Sequence, residues 1–247
     1  IEITNVFVKN KKFLKNINEN DFENKIKNSH FKNIYRIGKY LIFDLSNNLK
    51  QGSAIVNSYP EDFVVSEGKF YSVGIHPWRA HLASEETMQM LTKCVALPQV
   101  LAIGEVGIDK HSEASLSIQT ELFRQQVDLA ESVKKPLVIH AVKAMDELLA
   151  IKRQINPKQP WIIHGFRGNA NVAATYVKHG FYLSIGEKFQ PEALLTIPNN
   201  RLLLETDESQ CSIEDVYKQV AHYKKMPMEQ LLQTIGTNIN QLFPSLI

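Results

Sequence analysis

The stretch Leu137-Val138-Ile139-His140 guides the interpretation of the whole chain, because it is a short apolar run that ends in a histidine. Several other apolar runs also end in a His, Glu or Asp: Tyr71 to His76, Val100 to Glu105, Trp161 to His164 and Leu202 to Asp207. Apolar runs of this length, separated by helix-like segments, are typical of buried parallel strands. The pattern predicts eight barrel strands that begin near residues 41, 54, 71, 100, 137, 161, 181 and 202. It also predicts helices between most of them, among them one over 85–95 with Ser84 as its cap and one over 213–224. Polar residues at the C-terminal ends of successive strands indicate an α/β barrel with its site on that face.

The length and composition suit one barrel of this kind. The chain has 247 residues, of which 44% are hydrophobic, and a net charge of +2, and a (β/α)8 barrel needs about 250 residues. Cys94 and Cys211 have no metal-ligand spacing, so we expect free thiols in a reducing compartment. No apolar run approaches the roughly 18–20 residues of a membrane span, and no signal peptide is recognisable. We therefore expect a cytoplasmic protein without membrane contact, whose oligomeric state the sequence leaves open.

Residues 1–50 differ in composition from the rest of the chain. They hold ten Asn and a net charge of +5, whereas the remaining 197 residues hold eight Asn and a net charge of −3. The pattern predicts strands over 3–8, 34–37 and 40–45 and a short helix over 21–27. We divide the chain into an atypical basic segment, residues 1–40, and a barrel domain, residues 41–247. The lysines of the basic segment indicate either a solvated surface or a nucleic-acid surface.

Four residues at the predicted strand ends are candidate metal ligands, namely Glu105, His140, His164 and Asp207. Each alone is also consistent with a solvated acid or a hydrogen-bonded core imidazole, so the series is the evidence for a metal site. Carboxylate and imidazole ligands together favour Zn²⁺, Mn²⁺, Fe²⁺ or Ni²⁺ over Mg²⁺ or Ca²⁺. Such a metal acidifies water and stabilises charge on a phosphoryl or carbonyl oxygen.

Six segments resemble the TatD-type metal-dependent hydrolases of the amidohydrolase superfamily, in that family's order and spacing. They are Gly-Ile-His-Pro (74–77), Gly-Glu-Val-Gly-Ile-Asp (104–109), the run 119–130 before Pro136, Val-Ile-His (138–140), Ile-His-Gly-Phe-Arg-Gly (163–168) and Leu-Glu-Thr-Asp (204–207). The resemblance covers residues 51–247. It implies a TIM-type (β/α)8 barrel and a phosphodiesterase with one or two metals, typically a DNase.

The resemblance also implies roles for individual residues. Glu105 would be the ligand that two metals share, and His140 and His164 would hold one of them. Asp207 would bind the other metal and act as general base. By the same resemblance, His76 would lie by the substrate phosphate and Glu205 would support the metal ligands. Arg167 is a further candidate for a phosphate contact because of its charge.

The sequence departs from the family at its first strand, which in the family ends Asp-x-His-x-His with two metal-binding histidines. If Asp44 aligns with the motif's aspartate, Ser46 and Asn48 occupy the two histidine positions. Serine and asparagine are poor ligands for a divalent transition metal. We therefore expect the metal site nearest Asp207 to be impaired and the site of Glu105, His140 and His164 to survive.

Residues 29–47 resemble the N-terminal domain of formamidopyrimidine-DNA glycosylases, through the segment Arg36-Ile37-Gly38-Lys39-Tyr40. The resemblance implies a DNA contact for Lys39. It covers about a fifth of the chain and does not supply that family's Pro-Glu amino terminus, helical domain or zinc finger. We hypothesise that the chain joins a glycosylase fragment to a hydrolase barrel, with Tyr40–Leu45 as the first barrel strand.

Three functions follow from these observations. The first is a metal-dependent phosphodiesterase that cleaves DNA or another phosphoester, with one impaired metal site. The second is a catalytically weak or inactive barrel with a DNA-binding basic arm. The third is a structural chain without activity. A metal-requiring rate that Glu105→Ala abolishes would identify the enzyme, whereas binding that salt weakens steeply would identify the arm.

Overall fold

The computed structural model describes the backbone of residues 31–37 and 40–45, and residues 54–244 in full. The chain divides into two compact units, Ile1–Ser53 and Ala54–Ile247. The predicted strand over 3–8, the predicted helix over 21–27, and the positions Lys39, Ser46 and Asn48 lie outside the described residues.

The described part of the first unit is a two-stranded antiparallel sheet. β1 (Phe31–Ile37) pairs with β2 (Tyr40–Leu45), with Ile37 opposite Tyr40 at the turn. This confirms the two strands predicted around Gly38-Lys39. The predicted place of Tyr40–Leu45 as first strand of the barrel is wrong, because its described hydrogen-bonding partner is β1 and the parallel sheet of the second unit does not include it. The alternating apolar pattern predicts a strand but does not determine its partner.

The second unit contains a parallel sheet of seven strands in sequential order. The strands are β3 (Ile55–Ser58), β4 (Phe70–Val73), β5 (Val100–Asp109), β6 (Leu137–Val142), β7 (Trp161–Ile163), β8 (Tyr182–Ile185) and β9 (Leu202–Leu204). Seven of the eight predicted barrel strands are therefore present in the described residues, each within a few residues of its predicted start.

Helices follow most of these strands, as an α/β barrel requires. They are α1 (Glu85–Val95), α2 (Leu116–Val133), α3 (Met145–Ile155), α4 (Ala170–Lys178), α5 (Pro191–Thr196), α6 (Ile213–Lys224) and α7 (Met228–Leu242), with 3-10 helices at Pro77–Leu82 and Asn199–Arg201. The predicted cap of α1 is confirmed, since the Ser84 side chain accepts a hydrogen bond from the Thr87 backbone N–H. No helix of the described residues is long and apolar enough to cross a membrane.

The apolar side chains of the sheet alternate between two clusters. On β7, Trp161 and Ile163 belong to the larger cluster with the helices, whereas Ile162 belongs to a smaller cluster with Tyr182 and Leu203. This is the period of two expected of a strand with both faces buried. The sheet is therefore covered on both sides, and its C-terminal edge is where polar side chains collect.

β5 has an irregular register at the centre of the site. Its pairing with β6 shifts between Ile103 and Val106, and Glu105 lies inside this strand, whereas the sequence predicted it at the strand's end. A Cβ on Gly107 would overlap the carbonyl oxygen of His140, and a Cβ on Gly104 would overlap the backbone of Val138. The two glycines therefore allow β5 and β6 to approach closely around Glu105.

Candidate metal centre

The C-terminal edge of the sheet brings the predicted ligands together. Glu105 lies within β5 and His140 within β6, while His76, His164 and Asp207 follow β4, β7 and β9. Parallel strands place their carboxyl ends on one face, which is where barrel enzymes build their sites. The series of apolar runs with polar ends therefore corresponds to one cluster in space.

Glu105, His164 and Asp207 form the first possible ligand group, with one ligand atom from each within 4.8 Å of the others. The Nε2 of His164 lies 3.2 Å from Oε2 of Glu105. The Glu105 side chain is mostly buried, at 17% exposure, whereas Asp207 is exposed at the rim. Asp207 has a positive φ of 50°, a region that Asp tolerates better than most residues.

His76, Glu105 and His140 form the second possible group within the same distance limit. Oε2 of Glu105 lies 3.6 Å from Nε2 of His76, and the rings of His76 and His140 are 4.4 Å apart between centroids. We expected Glu105, His140 and His164 to share one metal and His76 to contact substrate. The distances group His140 with His76 and His164 with Asp207, with Glu105 in both groups, and the assignment of Glu105, His140 and His164 to one metal stays a prediction.

His164 is held from both sides by carboxylates. Its Nδ1 lies 3.3 Å from Oε1 of Glu205, and the same oxygen accepts a hydrogen bond from the Gly165 backbone N–H at 2.7 Å. Burial alone lowers the pKa of His164, but the hydrogen bonds to Glu105 and Glu205 outweigh it and raise the pKa to about 11. The support expected from Glu205 thus has a geometric basis: it orients the ring whose other nitrogen faces Glu105.

His140 has its own carboxylate partner, which the sequence did not reveal. Oδ2 of Asp109 lies 3.0 Å from Nε2 of His140 and accepts a hydrogen bond from Nε1 of Trp78 at 2.7 Å. Burial raises the pKa of Asp109, but hydrogen bonds from His140, the His111 backbone and Trp78 lower it below its usual range. The motif Gly-Glu-Val-Gly-Ile-Asp contained this residue, but only the fold shows which imidazole it meets.

Glu105 is fixed by Asn57 of β3, a residue that sequence reasoning missed. The Asn57 amide donates to Oε1 of Glu105 at 3.1 Å and accepts from the Glu105 backbone N–H at 2.9 Å. Burial raises the pKa of Glu105, but the imidazoles of His164, His76 and His140 lower it below its usual range. Glu105 is therefore an oriented, anionic carboxylate, which is the form that binds a cation.

Two buried glutamines of α2 hold the strand ends that present the site. Gln126 accepts from the Ile75 backbone N–H at 2.7 Å and donates to the Ile75 carbonyl at 3.1 Å. Gln119 makes the equivalent pair with the backbone of Asp109, at 2.8 Å and 3.1 Å. Both glutamines lie on the buried side of α2. Their amide groups find hydrogen-bond partners in backbone groups near the ends of β4 and β5, as buried polar groups require.

A cavity of about 430 Å³ opens beside Asp207. Its lining includes Arg167, Lys188, Glu205 and Thr206. The predicted phosphate candidate Arg167 therefore lies on the same cavity as Asp207, and Lys188 adds a second cation that the sequence analysis did not select. Although the residue is at the exposed rim, partial desolvation of its carboxyl group, together with the charges of Glu205 and Glu105, raises the pKa of Asp207 above its usual value despite the opposing charge of His164.

The donor set fits a divalent metal. Imidazole nitrogens and carboxylate oxygens are the ligands of Zn²⁺ and similar ions, and the imidazoles of both groups are oriented by second carboxylates, Glu205 on His164 and Asp109 on His140. Such outer carboxylate–histidine pairs are the usual support of metal-binding histidines. The described residues can therefore hold a metal at Glu105 without rearranging the sheet.

Comparisons with known proteins agree with this geometry. Residues 12–244 match the family model of the TatD related DNases. The chain is 32% identical over 196 residues to the metal-dependent hydrolase YabD of Bacillus subtilis, covering 70% of this chain and 77% of that one. It is 28% identical over 199 residues to the 3'-5' ssDNA/RNA exonuclease TatD of Edwardsiella piscicida, covering 70% and 76%.

A solved structure shares the fold. The crystal structure of YJJV, a TatD homologue from Escherichia coli K12, superposes with a TM-score of 0.71 at 21% identity, over 78% of this chain and 86% of that one. The family match covers most of the chain, including every described residue of the candidate metal centre. This chain therefore belongs to the TatD related DNase family of metal-dependent hydrolases.

Proposed function

We propose that this protein is a divalent-metal-dependent phosphodiesterase that cleaves nucleic acid at the rim of the sheet. The observation that supports this most strongly is the group of Glu105, His164 and Asp207 beside a cavity that also contains Arg167. In this proposal Asp207 would connect the two features, as a ligand and proton acceptor in the group and as part of the cavity lining that includes Arg167. The names of relatives, which include metal-dependent hydrolases and a ssDNA/RNA exonuclease, support the same reaction class.

The residues would divide the work as follows. When bound, the metal would acidify water and stabilise charge on the phosphoryl oxygens. Asp207, at the exposed end of its group, would accept the proton of the attacking water. Arg167 and Lys188, which also line this cavity, would position the phosphate. Glu205 would keep His164 oriented while Glu105 holds the metal.

The metal and its number are the finer part of the proposal. The mixture of imidazole and carboxylate donors favours Zn²⁺, Mn²⁺, Fe²⁺ or Ni²⁺ over Mg²⁺. The sequence contains no His-x-His pair such as the one that ends the family's first strand, and this supports one full site and one impaired site. We expect one metal per chain in protein purified without added metal, measured by mass spectrometry.

The direct test of function is hydrolysis of a 3'-labelled single-stranded oligonucleotide by the full chain, with each metal added to chelator-treated protein. We expect cleavage that requires metal and falls at least about 100-fold in Asp207→Asn, since general-base contributions are of that size. Asp128→Asn, on an exposed position of α2, is the matched control. Cleavage by chelated protein, or an unchanged rate in Asp207→Asn, would contradict the proposal.

The second candidate function, a DNA-binding arm, is supported by the net charge of +5 over residues 1–50. In that proposal Lys39 contacts the DNA backbone and the segment derives from a glycosylase-like fragment. We expect binding to duplex DNA that weakens as salt rises, with a shallower salt slope in Lys39→Gln. Equal slopes for both proteins would remove Lys39 from the interface.

A further inference from the structure

Trp78 is an exposed aromatic residue that borders the candidate metal centre. It is the second residue of the 3-10 helix Pro77–Leu82, whose N-cap is His76. Its side chain is 57% exposed. Scattered exposed apolar side chains are normal on a protein surface. What separates Trp78 from the others is that it is exposed and also tied by hydrogen bonds to the residues of the site.

Two hydrogen bonds fix this tryptophan. Its backbone N–H donates to Nδ1 of His76 at 3.2 Å, and its indole Nε1–H donates to Oδ2 of Asp109 at 2.7 Å. Asp109 is itself buried, at 3% exposure, and also contacts Nε2 of His140. The indole therefore has a defined position although more than half of its surface faces solvent.

The indole ring lies against the imidazoles of the second ligand group. Its centroid is 4.8 Å from that of His76 and 5.8 Å from that of His140, both with steep interplanar angles. A substrate phosphate at Glu105 would therefore have this ring within one nucleotide's reach. Next to the ring, a cavity of about 230 Å³ is lined by Trp78, His111, Ser112 and Glu113.

We propose that Trp78 is a stacking platform for a nucleobase of a single-stranded nucleic acid, and that the cavity beside it receives that base. This inference rests on the proposed phosphodiesterase function and specifies its substrate class. A positioned aromatic ring beside a phosphate-binding site suits a base, because every base has a π-face that stacks regardless of sequence. An unpaired base is free to stack on the ring, whereas a base within a duplex is already stacked on its neighbours, so the arrangement favours a single strand.

The expected size of the effect follows from measured stacking. Removing one base–aromatic contact weakens binding by roughly 5- to 150-fold. Trp78→Ala should therefore bind a short oligothymidylate that much more weakly, and Trp78→Phe should lose less because it keeps a ring. Leu195→Ala is the matched control, since Leu195 is similarly exposed at 59% and lies on α5.

Tryptophan fluorescence of the full chain reports the contact directly. The chain has two tryptophans, and Trp161 is fully buried, so ligand-dependent quenching at the surface reports Trp78. The protein is titrated in chelator with oligothymidylate and with an abasic oligomer of the same length and charge. We expect quenching and tighter binding with oligothymidylate, little quenching with the abasic strand, and no quenching in Trp78→Phe, whose remaining Trp161 emission also confirms folding.

Several results would overturn the platform. Equal quenching by both strands would mean that phosphate and not base is sensed. Equal affinity of the parent protein and Trp78→Ala would show that the ring contributes nothing. Emission that depends on protein concentration without ligand would instead identify this face as a contact between copies of the chain.

The outcome for the platform is separable from the outcome for the proposed function. Cleavage of the oligonucleotide with equal kcat/KM in the parent protein and Trp78→Ala would keep the function and remove the platform. Base-dependent quenching without cleavage in any metal would keep the platform and remove the phosphodiesterase.

Discussion

His76 and His164 both lie close to the same carboxylate oxygen, but their pKa values shift in opposite directions. Oε2 of Glu105 is 3.6 Å from Nε2 of His76 and 3.2 Å from Nε2 of His164. Burial and the neighbouring His140 lower the pKa of His76 to about 4. Although burial also acts on His164, Glu105 and Glu205 raise its pKa to about 11.

Because both rings lie near Glu105, the groups around the rest of each ring decide its charge. His164 has a second carboxylate on its other nitrogen, whereas the ring of His76 faces another imidazole and an indole. His76 is already neutral near pH 7, so a metal that bound its ring would not have to displace a proton. On the His164 side, a metal that bound Nε2 would have to displace a proton, and Glu205 would then hold the ring through Nδ1.

Glu105→Gln should have the largest effect, since it removes the group that both sides share. Loss of an outer-shell carboxylate alone costs about 10- to 100-fold in activity, so loss of the shared ligand should lower kcat/KM by more than about 100-fold. The measurement is metal-dependent oligonucleotide cleavage, with Glu121→Gln, an exposed acid of α2, as control. Comparable rates in the two variants would show that the two sides are not joined at Glu105.

Glu205→Gln should weaken metal binding through its effect on His164 and leave His76 unchanged. It removes the anion behind His164 while the glutamine can still accept from the Gly165 N–H, so we expect metal affinity to fall by roughly 10- to 100-fold. Calorimetric titration of chelator-treated protein measures this, with Glu192→Gln of α5 as control. An unchanged affinity would mean that the ring of His164 needs no second carboxylate.

The stability of metal-free protein should depend on pH with two opposite limbs. The raised pKa of His164 contributes stability that is full below about 6.5 and is lost as pH rises toward about 11. For His76 the unfolded chain binds more protons between pH about 4 and 6.5, so stability rises with pH across that window.

Urea unfolding at a series of pH values tests these limbs. We expect His76→Asn to flatten the acid limb and His164→Asn to flatten the alkaline limb, each relative to the parent protein in chelator. If His164→Asn left the alkaline limb unchanged, the carboxylate pair would not be holding a protonated imidazole.

Lys152→Met should change thermal stability by the smallest amount of the variants considered. It tests, outside the site, how burial next to aromatic rings affects a basic group. The Nζ of Lys152 lies 4.7 Å from the ring centroid of Trp161 and 4.8 Å from that of Phe181. Burial outweighs the attraction of Glu131 and lowers the pKa of Lys152 to about 8. Like His76, it is a basic group whose pKa is lowered by burial and whose near neighbours are aromatic rings.

The unfolded chain binds more protons than the folded chain between pH about 8 and 10.5, so this lysine makes stability rise across that window. Lys152→Met should raise Tm by on the order of 1–3 °C at pH 7, and the gain should shrink toward pH 10.5. A Tm below that of the parent protein would show that the cation–π contacts outweigh the desolvation of the lysine.

The sequence predicted the parts of the fold that depend on local pattern. The apolar runs near residues 54, 71, 100, 137, 161, 181 and 202 are strands, and α6 has the predicted bounds because its periodicity and the Ser212 cap agree. The partner of Tyr40–Leu45 was not predictable in this way, since a six-residue apolar run pairs as readily in a hairpin as in a barrel. The helix Pro191–Thr196 was missed because six residues do not establish a period.

In the site, too, the features set by local sequence were predictable and those set by tertiary pairing were not. Its polar strand ends were visible as residues, so the predicted ligands lie together at one edge of the sheet. Their grouping was not visible, because it depends on which rings face each other across β4, β5 and β6. Asn57 was missed for the same reason: it is 48 positions from Glu105 in the chain, and only parallel pairing makes them neighbours.

The metal content of the full chain tests the central claim, that Glu105 is the shared ligand of a metal centre, most directly. Chelator-treated protein is dialysed against Zn²⁺ or Mn²⁺ and analysed by mass spectrometry, beside Glu105→Gln and Glu121→Gln. We predict at least one metal per chain in the parent protein and in Glu121→Gln, and none in Glu105→Gln. No bound metal in the parent protein, or equal content in Glu105→Gln, would contradict the assignment.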